Sequence, residues 1–435
     1  MSPHSPSHQI VIVGGGFAGT TLARALARRL PEPWRVLLVS EESYTTFNPM
    51  LAEVVGASVF PEHVVAPIRQ MLGGSDRTRF VMGRVTAVDR AARRVVAETL
   101  AGAQTLRYDH LVLAFGQRAH LGLLPGLAEH ALPLKLVGDA LQIRNRVLQR
   151  VARIELEHDS ALRRRLGRFV VIGGGFSGVE VAGELADFLR GARRWYPRVG
   201  ADELQVVLLH DGARLLPELP ASLGDAAAAS LRARGIEVRL ATRAAAVHAE
   251  RVDLEGGDTI EAATVVCTIG TRPNPLVEQL RLPLERGRLL AAPDLSVPGA
   301  DNVWALGDCA CVPNAAGGFA PPTAQFAVAQ AQLLAHNLPA RIEGRPTRPF
   351  AHRSKGMMAT TGHLKGVAQI GRLRLAGLPA WLLWRAYYLL RMPTLGRKLR
   401  LWVEWTWAIC FAADITHLRF TGTREADAPL PGTRP

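Results

Sequence analysis

The stretch IVIVGGGFAGTTLARALARRL, residues 10–30, decides how the chain is read. Ile10–Val13 is a short apolar strand, and an alanine-rich amphipathic helix follows it. Between them Gly14, Gly16 and Gly19 form G-x-G-x-x-G, with Phe17 and Ala18 opening the helix. Gly14 permits the tight turn, Gly16 lets backbone N–H groups approach a pyrophosphate, and Gly19 lets helix pack on strand. Such a motif alone is weak, but here a second strand, WRVLLVS at 34–40, arrives at the expected distance. The acid expected at its end to hold a ribose is displaced: Ser40 follows Val39, and Glu41 stands one position late. Ser40 and Glu41 are therefore the candidate ribose ligands, with simple strand capping as the alternative.

The pattern returns in RFVVIGGGFSGVEVAGELADFL, residues 168–189, where Gly173, Gly175 and Gly178 again sit between strand and helix. A following strand ends in LQVVLLHDGARLLP, 204–217. Two complete units imply two dinucleotides, or one dinucleotide and a flavin. A third stretch, NVWALGDCA at 302–310, separates these options. It places Asp308 after an apolar strand, where a carboxylate can accept hydrogen bonds from the hydroxyls of a flavin's ribityl chain.

From these residues the chain resembles the two-dinucleotide-fold flavoprotein reductases, with FAD on the first unit and a nicotinamide nucleotide on the second. YDHLVLAFG, ending at Gly116, and ATVVCTIGTRPN, through Gly270, fall where that superfamily crosses between domains. The implied fold is α/β with two Rossmann-like domains, the second inserted in the first. The expected boundaries are 1–119 and 275–370 for FAD, 120–274 for NAD(P)H, and 371–435 for a C-terminal membrane-binding segment. Four cysteines, Cys267, Cys309, Cys311 and Cys410, form neither a C-x-x-C pair nor a disulfide framework, so a cysteine-based redox centre is not expected.

Within the superfamily the chain is similar to the type II NADH dehydrogenases, single-subunit NADH:quinone oxidoreductases. The residues carrying this are TTFNPMLAEVVGA (45–57), GGGFSGVEVAGELADFL (173–189), LGDCA (306–310), PPTAQFAVAQA (321–331) and KGMMATTGHLKGVAQIG (355–371). The resemblance implies hydride transfer from NADH to FAD, then two electrons to a membrane quinone, without proton pumping. It also implies a functional glutamate at Glu180, although a carboxylate in a helix's first turn is favoured by the dipole in any case. Ala324 and Gln325 match a motif whose helix N-terminus approaches the flavin. The family's paired glutamines are reduced here to Gln330, because Ala329 replaces the first. Lys355 completes the candidate catalytic set, a solvated surface lysine being its plain alternative. His210 stands where an acid that binds the NADH ribose is usual, so NADH is expected and NADPH stays open. Other readings are a flavin-dependent reductase with a soluble acceptor, and a redox-sensing NADH-binding flavoprotein.

The net charge of +14 favours anionic partners over neutral ones. No zinc-finger or RNA-binding pattern accompanies it, and nucleic acid is not expected. No uncharged apolar run is long enough to span a bilayer. Five of the eight tryptophans lie in 372–415, interleaved with arginines. Trp381, Trp384 and Tyr388, then Trp402, Trp405 and Ile409, recur at helical spacing. An apolar stripe of this kind is often core. Here, with a quinone dissolved in the bilayer, it is read as an interfacial dock on anionic lipid. The chain is thus expected at the cytoplasmic face of the cell membrane, with a homodimer as an option.

Overall fold

The computed structural model describes residues 8–418. Its first sheet has seven strands in the order Val303–Ala305, His110–Leu113, Gln9–Val13, Arg35–Ser40, Thr78–Asp89, Arg94–Thr99, Gly102–Arg107. The first five are parallel, and the last two join by antiparallel pairing. Gln9–Val13 and His110–Leu113, inside the sheet, are almost wholly buried apolar runs, the pattern of strands covered on both faces. A second, wholly parallel sheet has five strands: Ala131–Pro133, Thr264–Cys267, Arg168–Ile172, Gln205–Leu209 and Glu237–Arg239.

In each sheet the strand leading into the glycine loop is central and feeds a helix, Phe17–Leu26 in the first and Phe176–Arg193 in the second. The chain crosses between the two units twice. The crossings, Gln117–Ala119 and Thr271–Pro273, pair with each other as an antiparallel ribbon. This is the α/β architecture with two dinucleotide-binding folds expected from the repeated glycine loops.

Residues 357–376 form a three-stranded antiparallel sheet. It packs on the helices Phe176–Arg193, Ala221–Arg232 and Leu378–Arg391 rather than on the first sheet. One apolar core joins the second unit to residues 47–64 and to the C-terminal helices Leu378–Arg391 and Leu395–Cys410.

Those helices correct the reading of the tail. Trp381, Trp384 and Trp405 are buried, Trp384 to 1% exposure. The expected stripe at 381, 384 and 388 turns inward, so it is core and not a lipid face. In the second helix the stripe splits: Trp405 is 4% exposed, whereas Trp402 is 56% exposed. The outward face carries Leu395, Leu399, Trp402, Val403, Trp407 and Ile409. Among the described residues no helix is long and apolar enough to cross a membrane.

Candidate active site

Both glycine loops have the shape their sequences require. Gly14 and Gly173 adopt φ values of +116° and +119°, where a side chain would be strained. A Cβ on Gly19 would lie 1.9 Å from the Gly14 carbonyl, and one on Gly178 1.7 Å from that of Gly173. By contrast, a Cβ on Gly16 or Gly175 would meet no protein atom within 4 Å. The open side of each loop is thus free for a phosphate at a helix N-terminus.

Asp308 lies on a turn, Gly307–Cys309, set directly against the first loop's helix: a Cβ on Gly307 would come within 3.1 Å of the Ala18 side chain. Among the described residues the Asp308 carboxyl accepts no hydrogen bond, and burial pushes its pKa up. An acceptor in this position suits ribityl hydroxyls. Gln330, a candidate catalytic residue, is buried, and its Oε1 accepts from the Gly307 N–H at 2.7 Å. It fixes the turn that carries Asp308. Gln325 and Lys355 do come together: Gln325 Oε1 accepts from the Lys355 backbone N–H at 2.7 Å and lies 3.2 Å from His352 Nε2. The Lys355 side chain is exposed.

At the ribose positions the two units differ. Ser40 Oγ sits 2.5 Å from where a Gly15 Cβ would be, so it faces the first loop. Glu41 is held by Arg118 at 2.5 Å and by Arg84 at 3.3 Å. In the second unit His210 directly follows the strand Gln205–Leu209. The Gly174 N–H donates to His210 Nδ1 at 3.3 Å, and the ring lies over the loop. Gly116 and Gly270, both at positive φ, flank the crossing ribbon.

Glu180 is buried in the second loop's helix. Its Oε1 accepts from the Thr360 N–H and from Trp384 Nε1, each at 3.2 Å. Desolvation raises its pKa to about 8, opposed by those two donors and reinforced by Glu53 and Glu184. Trp384 lies 4.6 Å from Tyr388, Tyr388 5.6 Å from Phe47, and Phe47 5.4 Å from Phe17 of the first loop, centroid to centroid. An aromatic wall therefore runs from the first glycine loop to a buried acid beside the second.

Sequence reasoning missed three members of this cluster. Glu53 accepts from Trp405 Nε1 at 3.0 Å and lies 3.7 Å from Arg385. Glu184 pairs with Ser58 Oγ at 2.6 Å. Arg385 sits 3.8 Å over Trp381 and 4.9 Å over Trp405. The signal was present: Glu53 is the one charge in the five-residue helix LAEVV, and Arg385 is the one in WLLWRAYYLL. A lone charge inside an apolar run is buried with a partner or carries function.

Two open phosphate cradles at helix N-termini, on two parallel sheets, are the mark of a fold that binds two nucleotides. The family model for pyridine nucleotide-disulphide oxidoreductases matches residues 8–331. A type II NADH:quinone oxidoreductase of Mycobacterium tuberculosis is 31% identical, the match covering 92% of this chain and 87% of that protein. A demethylphylloquinone reductase of Synechocystis is 32% identical over 91% and 95%. NDH2 from Plasmodium falciparum, solved in complex with NADH, superposes with a TM-score of 0.87 over 94% of this chain and 100% of that one, at 18% identity. The chain belongs to the type II NADH:quinone oxidoreductases of the pyridine nucleotide-disulphide oxidoreductase family.

Proposed function

We propose that this chain is an FAD-dependent NADH:quinone oxidoreductase in which Glu180 serves the quinone step. The observation that carries the reading is the continuous aromatic path from the first glycine loop to buried Glu180. FAD, when bound, supplies the two-electron chemistry that links a hydride donor to a quinone. The residues do the rest. The N-termini of Phe17–Leu26 and Phe176–Arg193 bind the two pyrophosphates, and Asp308 holds the ribityl chain, its turn set by Gln330. Phe47 and Tyr388 exclude water beside the acceptor. Glu180 keeps its proton at neutral pH and can give it to a quinone oxygen. Gln325 fixes the 352–355 segment beside the N-terminus of Ala324–Ile342, the helix end that faces the flavin in this reading.

The test is a spectrum and a rate. Purified protein should be yellow with one dissociable FAD per chain, should bleach with NADH under argon, and should recover on adding a short-chain quinone. Recovery with other acceptors only would leave a soluble-acceptor reductase. Asp308→Ala should lose FAD on gel filtration about ten-fold faster, since it removes acceptors for hydroxyl donors.

His210→Glu should raise the NADH over NADPH ratio of kcat/KM by roughly ten- to a hundred-fold. It restores an acceptor for ribose hydroxyls and repels a 2′-phosphate. A ratio that stays put would place His210 outside the ribose contact.

The outward face of Leu395–Cys410, with Arg391, Arg397, Lys398 and Arg400 around it, is the proposed dock on an anionic bilayer. With NADH supplied in the cytoplasm, the proposed dock is on the cytoplasmic face of the cell membrane.

A further inference from the structure

We propose that Glu184 and Glu53 form a proton relay that reloads Glu180 from the protein edge at His63 and Glu404. The inference rests on the quinone reading above and assigns residues to its proton supply. The balance requires one: NADH + H⁺ + quinone gives NAD⁺ + quinol, so each turnover draws one proton from the medium. In the relay, Glu180 gives its proton to an oxygen of the quinone as it is reduced, Glu184 restores Glu180, and Glu53 with Glu404 restores Glu184.

The inner acids are clustered on two facing segments. Glu180 and Glu184 are four residues apart on one helix, which brings their side chains together, and both are buried. Glu184 reaches the 53–58 turn because Gly56 has no side chain: a Cβ there would lie 2.3 Å from Glu184 Oε2. Ser58 Oγ donates to that oxygen at 2.6 Å and lies 3.3 Å from the backbone carbonyl of Glu53, so the hydroxyl ties Glu184 to the turn that carries Glu53. Glu53 is 2% exposed. Towards solvent, Glu404 lies 2.5 Å from His63 Nδ1, with side-chain exposures of 12% and 21%.

Charge fixes the protonation. The guanidinium facing Glu53 and Glu184 is Arg385, 3.7 Å from Glu53. Tyr388 and His363 also face the cluster, but the tyrosine is kept neutral by burial and burial lowers the histidine's pKa. Asp187 is occupied by Arg234. Glu62 adds its charge beside Glu404. Three ionised carboxyls against one cation would leave two uncompensated charges in a dry pocket. Burial accordingly raises the pKa of both Glu53 and Glu184.

The test compares Glu184→Gln, Glu53→Gln and Ser58→Ala with the wild type. The rate with a short-chain benzoquinone is divided by the rate with ferricyanide, which takes electrons without protons. In the wild type this ratio should be flat from pH 6 to about 8. In the two glutamine variants the proton must come from water, and the ratio should fall about ten-fold per pH unit above pH 7. Ser58→Ala, which removes the hydroxyl that donates to Glu184, should show the same trend more weakly.

A second readout does not depend on turnover. Each raised acid keeps in the folded state a proton that the unfolded chain gives up above the usual carboxylate range. Wild-type Tm should therefore fall as pH rises from about 5 to 8, and each glutamine substitution should flatten that slope. Variants with wild-type pH profiles and Tm slopes overturn the relay alone. A wild type that reduces ferricyanide but no quinone overturns the function and the relay with it.

Discussion

Glu180→Gln is expected to lower quinone turnover about a hundred-fold, the usual scale for losing a positioned acid. It should leave the NADH-driven half of the reaction far less affected. Glutamine keeps the Oε1 that accepts from Thr360 and Trp384, so the helix and the indole stay in place. What it lacks is a proton to give. Stopped-flow mixing separates the halves: anaerobic protein with NADH reports the first, and reduced protein with quinone the second. Equal slowing of both would make Glu180 a structural residue of the helix. In the wild type the quinone half should hold its rate up to about pH 8 and decline above it, as the carboxyl ionises.

The second large effect concerns the outward face of the last helix. The combined change Leu395→Ser, Leu399→Ser, Trp402→Ser should weaken binding to anionic liposomes about a hundred-fold. Each exposed side chain contributes on the order of 1 kcal/mol when it enters the interface, and 1.4 kcal/mol is ten-fold. Activity toward a long-chain quinone held in the liposomes should fall with it, while activity toward a water-soluble dye persists. High salt should detach the unaltered protein only partly, because it screens the basic residues and leaves the apolar contact. Co-sedimentation decides: a triple variant that still pellets would place the dock elsewhere.

Deleting the tail is a different experiment. Removal of residues 376–435 would strip Trp384 and Trp405 from the core they share with the second unit. Emptying one such site costs about 3–5 kcal/mol, so the truncated chain is expected to aggregate rather than survive as a soluble reductase.

The two glycine loops and Asp308 were readable because their chemistry is local: a strand, three glycines and a helix lie within about twenty residues. The acid cluster was not, since Glu53, Glu184 and Arg385 meet only after the second unit folds against residues 47–64. The tryptophans misled for a physical reason. An indole suits a packed core and a headgroup layer equally, and helical spacing cannot tell which side a stripe faces. Gln330 carries the same ambiguity: a glutamine can meet a substrate or satisfy a buried N–H, and its Oε1 is engaged by Gly307.

Trp384 and Trp405 each carry an apolar ring in the core and an N–H on a buried carboxyl. The anchor is consequently not an interchangeable module. A chimera that exchanges residues 378–410 for another protein's amphipathic hairpin would leave Glu180 and Glu53 short of a donor each, however well it bound lipid. Engineering this enzyme onto a different surface therefore has to begin by preserving those two indoles, and can vary only the side chains that point away from them.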